Sequence, residues 1–83
     1  MLKIRNLIHD EQLISCVISS DRTKSASFAV LLELNTLRPE SEIPPECWGA
    51  FRRALSAIKQ AKAEHKIPSV NEGRGATLTV AGF

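Results

Sequence analysis

Three prolines within nine residues, in the segment LRPESEIPP (37–45), divide this chain into two unlike halves. Proline fixes its own φ angle and lacks an N–H, so neither a helix interior nor an inner strand can run through this segment. Pro45 suits the first position of a helix, where a missing N–H costs nothing, and Glu46 suits the positive end of the helix dipole. We therefore predict a connector over 37–45 and a helix that begins at Pro45.

The half before the connector predicts strands. Segment 2–8 (LKIRNLI) is short, and segment 13–20 (LISCVISS) is rich in β-branched residues. Segment 27–36 (SFAVLLELNT) places large apolar side chains at alternate positions, which indicates a strand with one buried face. The polar residues 21–25 (DRTKS) predict a hairpin turn between the second and third strands. Segment 13–20 also reads as apolar on both sides, which favours a covering partner such as a second copy of the chain.

The half after the connector predicts one helix and one strand. The helix runs from about 45 to about 66, because Pro68 biases the residue before it away from helical geometry. Residues 68–75 (PSVNEGRG) predict a loop, and residues 76–83 (ATLTVAGF) alternate as a last strand. The order is β-β-β-α-β, or β-β-α-β without the first segment. Either order predicts a small two-layer α+β domain, in which one amphipathic helix packs on a mostly antiparallel sheet of three or four strands.

Length and composition narrow the class of protein. A chain of 83 residues has room for one core, so we expect a single domain over 1–83. The opening MLKIRNLIHDEQ lacks the apolar stretch of a secretory signal, and no apolar run approaches the roughly 20 residues of a membrane span. We expect a soluble, cytoplasmic protein. Cys16 and Cys47 are too few for a disulfide framework or, alone, for a structural zinc site, so no metal or cofactor is predicted.

The basic charge is concentrated on the predicted helix. Residues 1–42 have a net charge of −1 and residues 43–83 a net charge of +3. Within the helix, five basic residues stand against two acidic ones, and no basic residue has an acidic partner four positions away. At 100° per residue the predicted core face comprises Cys47, Phe51, Ala54, Leu55, Ile58, Ala61 and His65.

Beside that core face the helix carries a candidate contact surface. Trp48 and Lys62 lie at the edge of the core face, and Arg52, Lys59 and Lys66 are stacked at a spacing of seven residues. A solvated face explains this charge in part, since cations favour the C-terminal end of a helix. A counter-charged ligand explains it as well, because Trp and Arg are enriched at interface centres. The candidate partner-binding residues are Trp48, Arg52, Lys59, Lys62, Lys66 and Arg74.

Three segments offer catalytic chemistry only weakly. His9, Asp10 and Glu11 could perform acid–base work, but such residues are typical of a polar turn. Cys47 lies in the first helical turn, where the dipole lowers the pKa of a thiol, yet we interpret both cysteines as buried small hydrophobic residues. The segment NEGRG (71–75) lacks the length and ending of a phosphate-binding loop. We expect that the protein is not an enzyme.

The preferred hypothesis is a small non-enzymatic binding protein that acts stoichiometrically on the acidic surface of another protein. Its size and lack of chemistry are compatible with the small inhibitors or accessory factors of phages and mobile elements. The first alternative is a nucleic-acid-binding protein whose basic helix contacts phosphates. The second is a structural subunit of a homo-oligomeric assembly, formed as a homodimer or larger through the sheet.

Overall fold

The computed structural model describes residues 2–20, 27–40 and 42–80. The elements are β1 (Leu2–His9), β2 (Leu13–Ser20), β3 (Ser27–Glu33), α1 (Trp48–Ala63) and β4 (Ala76–Val80). The strands form one antiparallel sheet in the spatial order β3-β2-β1-β4, and α1 packs across one face of it. The predicted two-layer α+β fold and the order β-β-β-α-β are confirmed.

Two of the predicted features fall where the chain is not described. The hairpin turn at 21–25 and the last three residues of the predicted strand 76–83 lie outside the described residues. Within the described ranges, no helix is long and apolar enough to cross a lipid bilayer.

The core lies between α1 and the inner face of the sheet. In the antiparallel register Ile4 lies opposite Ile18, and Cys16 lies opposite Val30, so alternate residues of neighbouring strands share this face. Full burial of one large aliphatic or aromatic side chain stabilises the fold by about 1.5–3 kcal/mol. The largest fully buried side chains are Phe51, Ile4, Leu7, Ile14, Ile18, Leu32, Ile58 and Val30.

A β-bulge in β1 keeps both halves of that strand in the core. Ile4 and Leu7 are three positions apart, so a regular strand would point them to opposite faces. The register shifts between Arg5 and Ile8 against β2, and between Ile4 and Leu7 against β4. Asn6, inside this shift, has φ 55°, a left-handed conformation that asparagine tolerates better than most residues. The bulge therefore returns Leu7 to the inner face, where it is fully buried.

The outer face of the sheet, the one turned away from α1, is of mixed polarity. Segment 13–20 was predicted to be apolar on both sides. Half of its outward positions are polar, namely Ser15 and Ser19, so the prediction is wrong for these two. Lys3 lies opposite Ser19 on this face, and both Lys3 and Arg5 are exposed. This face therefore presents less apolar surface for a partner to cover than the sequence predicted.

The third strand is shorter than predicted, because the chain turns back on it. β3 ends at Glu33, before the predicted end at position 36. Leu37 has φ 60°, its N–H donates to the Glu33 carbonyl at 2.8 Å, and its buried side chain anchors the turn. The chain then runs back along β3, where the Glu40 N–H donates to the Leu31 carbonyl at 2.7 Å. Part of the connector thus covers the edge of β3.

The helix begins as predicted and ends early. Pro45 opens a 3₁₀ turn, Pro45–Cys47, that leads directly into α1, and Glu46 lies in that turn. The predicted end near Lys66 is wrong, since α1 ends at Ala63. His65 takes φ 57° and its N–H donates to the Lys62 carbonyl at 3.1 Å.

The early end of α1 has the hydrogen bonds of a Schellman motif. In addition to the bond from His65, the Lys66 N–H donates to the Ala61 carbonyl at 2.9 Å. These bonds satisfy carbonyls that a helix end otherwise leaves without partners. The placement of His65 on the core face is also wrong: its side chain is exposed, because helical spacing does not apply beyond Ala63.

The predicted loop at 68–75 contains a second 3₁₀ turn, Val70–Glu72. The Ser69 N–H donates to Oε2 of Glu72 at 2.7 Å, and the Ser69 hydroxyl accepts from the Asn71 N–H at 3.3 Å. This is a capping box, and its S-x-x-E signature is present in the sequence. The sequence therefore contained a signal for this turn, but the two glycines of the segment led to the prediction of a loop.

Candidate functional site

The sequence of α1, WGAFRRALSAIKQAKA, contains four basic residues and no acidic residue. Three of these cations share one side of the helix with Trp48. At 100° per residue, Trp48, Arg52, Lys59 and Lys62 fall within an arc of roughly 80°. We call this set the cationic flank. The structure thus brings together four of the six predicted partner-binding residues.

Trp48 stands at the N-terminal end of the flank and is held in place by the core. Its ring packs edge-to-face against Phe51, with ring centroids 5.3 Å apart and an interplanar angle of 90°. Phe51 is 1% exposed, whereas Trp48 is 40% exposed. An edge-to-face aromatic pair contributes about 0.5–1.5 kcal/mol beyond the area that it buries. The indole is therefore a largely fixed apolar surface that remains open to solvent.

Lys62 stands at the C-terminal end of the flank and is half-buried. Its Nζ donates to the backbone carbonyl of Asn35 at 3.5 Å, which is the long limit of a hydrogen bond. An ammonium group has three N–H donors, so this contact leaves Lys62 capacity for a stronger acceptor.

The other two predicted residues do not join the flank. Lys66 lies beyond the end of α1, and its Nζ forms an ion pair with Glu64 at 3.1 Å. Both side chains are largely exposed, and such surface pairs add between zero and about 1 kcal/mol of stability. Arg74 precedes β4, whereas Asn35, the contact of Lys62, follows β3. The sheet order places these two strands at opposite edges, so the width of the sheet separates Arg74 from the Lys62 end of the flank.

The helix dipole explains little of the charge on α1. That effect is limited to the last turn of a helix, and only Lys62 lies there. Arg52 and Lys59 gain little from it, so their concentration on one side needs another cause.

A groove of 580 Å³ opens beside the C-terminal half of the flank. One wall is formed by α1 and the residue that follows its cap, and the other by the turn 35–37. The first wall comprises Leu55, Lys59, Lys62, Ala63 and His65. The described residues that line this groove include two leucines and no carboxylate. The Glu33 carboxylate is outside the lining, where it accepts from the Thr36 hydroxyl at 2.6 Å.

The sequence did not reveal this groove. The apolar alternation of the strand extends one residue beyond its end, to Leu34, and this hid the start of the turn. Leu55 was assigned wholly to the core, but it is half-buried and borders the groove. The adjacent Asn35 and Thr36 are typical turn residues and were the available signal.

Of the catalytic candidates of the sequence, His9 shares a cavity with Lys62 of the flank, and Asp10 forms a turn. Asp10 accepts from the Gln12 and Leu13 N–H groups at 2.8 and 2.7 Å, and these bonds lower the pKa of its carboxyl. His9 Nδ1 lies 3.1 Å from the Asp10 carbonyl. This is the geometry of a polar turn that ends one strand and begins the next.

Both cysteines are free thiols. Cys16 is buried in the core, and burial raises the pKa of its thiol to about 11. Cys47 is half-buried at the start of α1. Within the described ranges, no group of three or more His, Cys, Asp or Glu side chains could hold a metal ion.

Comparison of the chain with protein-family models, with curated proteins and with solved structures finds no match. The function is therefore inferred from the geometry and charge of the flank and its groove.

Proposed function

We propose that this protein is a non-enzymatic binding protein, an inhibitor or accessory factor that acts stoichiometrically. It binds an acidic surface of another protein through the cationic flank. The observation that carries this proposal is the composition of α1, which has four cations and no carboxylate along 16 residues. A half-exposed tryptophan lies in line with three of these cations. Aromatic residues and arginine are the residue types most enriched at interface centres.

The two ends of the flank supply different parts of the binding free energy. Trp48 offers a large apolar surface that is already ordered by Phe51, so little conformational entropy is lost when a partner covers it. Arg52, Lys59 and Lys62 attract carboxylates, which speeds association and fixes the orientation of the partner more than it adds affinity. Occupation of the acidic surface then blocks or modifies whatever else binds there.

The test is a pull-down of the tagged protein from host-cell lysate, with and without nuclease. The variant Arg52→Glu/Lys59→Glu is run beside it, together with a matched control, Lys3→Glu/Arg5→Glu. The control makes the same change in net charge on the outer face of the sheet, where both cations are exposed. We expect one stoichiometric protein partner that survives nuclease, is lost in the flank variant and is kept in the control.

Other results would overturn the proposal. A partner that the flank variant retains would reduce the flank to a solvated surface. Capture that disappears with nuclease, and that weakens steeply between low and physiological salt, would assign the cations to phosphates instead. Recovery of this chain alone would favour a self-assembling structural subunit.

A further inference from the structure

We propose that the groove between α1 and the turn 35–37 receives an acidic-apolar peptide segment of the partner protein, with a carboxylate on Lys59 and Lys62 and an aliphatic side chain against Leu37 and Leu55. This inference rests on the proposed function, because it names the part of the partner that the flank would hold. It adds a second wall, outside the helix, to the contact surface.

The lining of the groove selects this chemistry. Its two cations come from one wall, and its two leucines, one from each wall, give it an apolar floor. No carboxylate lines the described groove, so a negatively charged occupant meets no like charge there. A partner group that carries both a carboxylate and an aliphatic side chain satisfies both halves of the lining.

Size and shape favour a peptide segment. The volume of 580 Å³ lies within the range of about 300–1,000 Å³ that is typical of ligand sites in proteins. The groove is lined by Lys59 and Lys62, which share one side of α1 with Arg52 and Trp48. A chain segment held there would have the rest of the flank beside it. No tryptophan, tyrosine or phenylalanine lines the described groove, and the imidazole of His65 offers a nucleic-acid base a smaller stacking surface, which disfavours that occupant.

Lys62 is placed to respond to such an occupant. Its ammonium points to the Asn35 carbonyl at 3.5 Å, and a carboxylate would accept a shorter, charge-assisted hydrogen bond. A second cavity of 340 Å³, lined also by His9, shares Asn35, Lys62 and His65 with the groove.

The experiment is an NMR titration of the ¹⁵N-labelled full chain with three blocked octapeptides. In the first, glutamate alternates with leucine; in the other two, glutamine or lysine replaces every glutamate. We expect amide shift changes for the glutamate peptide at the turn 35–37, at Leu55 and at Lys59–His65. The glutamine peptide should bind about tenfold more weakly, and the lysine peptide should produce no shifts at these sites.

Two tryptophan variants separate the groove from the rest of the helix. Ala63→Trp places a bulky ring in the groove lining without a change of charge. Ser56→Trp places the same ring on an exposed position of α1 outside the lining. We expect Ala63→Trp to weaken binding of the glutamate peptide at least tenfold and Ser56→Trp to leave it unchanged, with both variants retaining the helical circular-dichroism signal.

Several outcomes would overturn the inference. One is equal binding of the glutamate and lysine peptides, and another is a set of shift changes that map to the outer face of the sheet. A third is the absence of any shift at peptide concentrations of about 2 mM, where even a weak specific site would be partly filled. A lysate partner that is lost with Arg52→Glu/Lys59→Glu but kept with Ala63→Trp would leave the proposed function in place and remove the groove from it.

Discussion

The two sides of α1 show how one helix can both pack against the sheet and present a charged surface to solvent. Its inner side presents Phe51, Ala54, Ile58 and Ala61, all buried against the sheet. Its cationic flank presents Trp48, whose ring packs on Phe51, and three basic side chains, of which Arg52 and Lys59 are exposed and Lys62 is half-buried. Burial fixes the identity of the inner residues, whereas the exposure of Arg52 and Lys59 sets no such requirement. The difference teaches that folding determines the first side and leaves the second available for function.

The largest expected effect is on the inner side. Phe51→Asp would place a charge where the side chain is 1% exposed and would also remove the partner of Trp48. Loss of a buried aromatic costs about 3–5 kcal/mol, and an unpaired charge adds to it, which together approach the whole stability of a small domain. We expect the variant to be unfolded, as measured by circular dichroism and by the loss of cooperative urea unfolding. A folded Phe51→Asp protein would show that the inner side of α1 is not what holds the domain together.

Gly75 tests whether every exposed residue can be substituted without a loss of stability. A Cβ on Gly75 would lie 2.7 Å from the Cα of Asn6, at the bulge of β1, so the backbone would have to move. We expect Gly75→Ala to lower the free energy of unfolding by about 2 kcal/mol, within the range of single mutations with a named structural cause. Urea unfolding measures this loss. Gly49→Ala is the control, because a Cβ there meets nothing within 4 Å. A neutral Gly75→Ala would mean that the bulge relaxes freely.

The end of α1 gives the next effect, and its sign is opposite. His65 holds φ 57°, a left-handed conformation that costs a residue with a Cβ roughly 1–2 kcal/mol and costs glycine little. We therefore expect His65→Gly to raise the free energy of unfolding by about 0.5–1 kcal/mol, measured by thermal or urea unfolding. A helix that continued to Lys66 would instead be destabilised by a glycine inside it. A decrease in stability would therefore support the longer helix that the sequence predicted.

The smallest expected effect on stability is on the flank. Arg52→Glu/Lys59→Glu changes two exposed residues. Surface substitutions of this kind alter the free energy of unfolding by no more than about 0.5 kcal/mol. The urea midpoint should therefore be nearly unchanged while partner capture is lost. A drop of several kcal/mol would mean that the flank is structural, and loss of capture would then say nothing about binding.

The fold was predictable wherever one local pattern dominated. Alternation defined the inner face of β3, and Pro45 defined the start of the helical segment. The spacing of three between Ile4 and Leu7 could have revealed the bulge, since it breaks the alternation of a regular strand. The end of α1 had a weaker signal, because His65 occupies a left-handed position that glycine usually fills. Because Pro68 served as the stop signal, the end of the helix was predicted too far along the chain.

The candidate site was only half predictable, for a different reason. The flank depends on helical spacing within one element, so four of its residues could be placed together from the sequence. The groove depends on the turn 35–37 meeting Lys62 across 27 positions of the chain. A contact of that kind is set by the tertiary fold and leaves no periodic trace in the residues themselves. Arg74 was grouped with the helix for the same reason, since sheet order is not legible from alternation.

The backbone that folds back over β3 also limits how copies of this chain could aggregate. A sheet grows into an open-ended fibril only when each copy offers two strand edges that can accept a neighbour. Here the bonds from Glu40 to Leu31 and from Glu33 to Arg38 occupy the outer edge of β3 over its second half. Growth of a sheet through that half of β3 is therefore restricted.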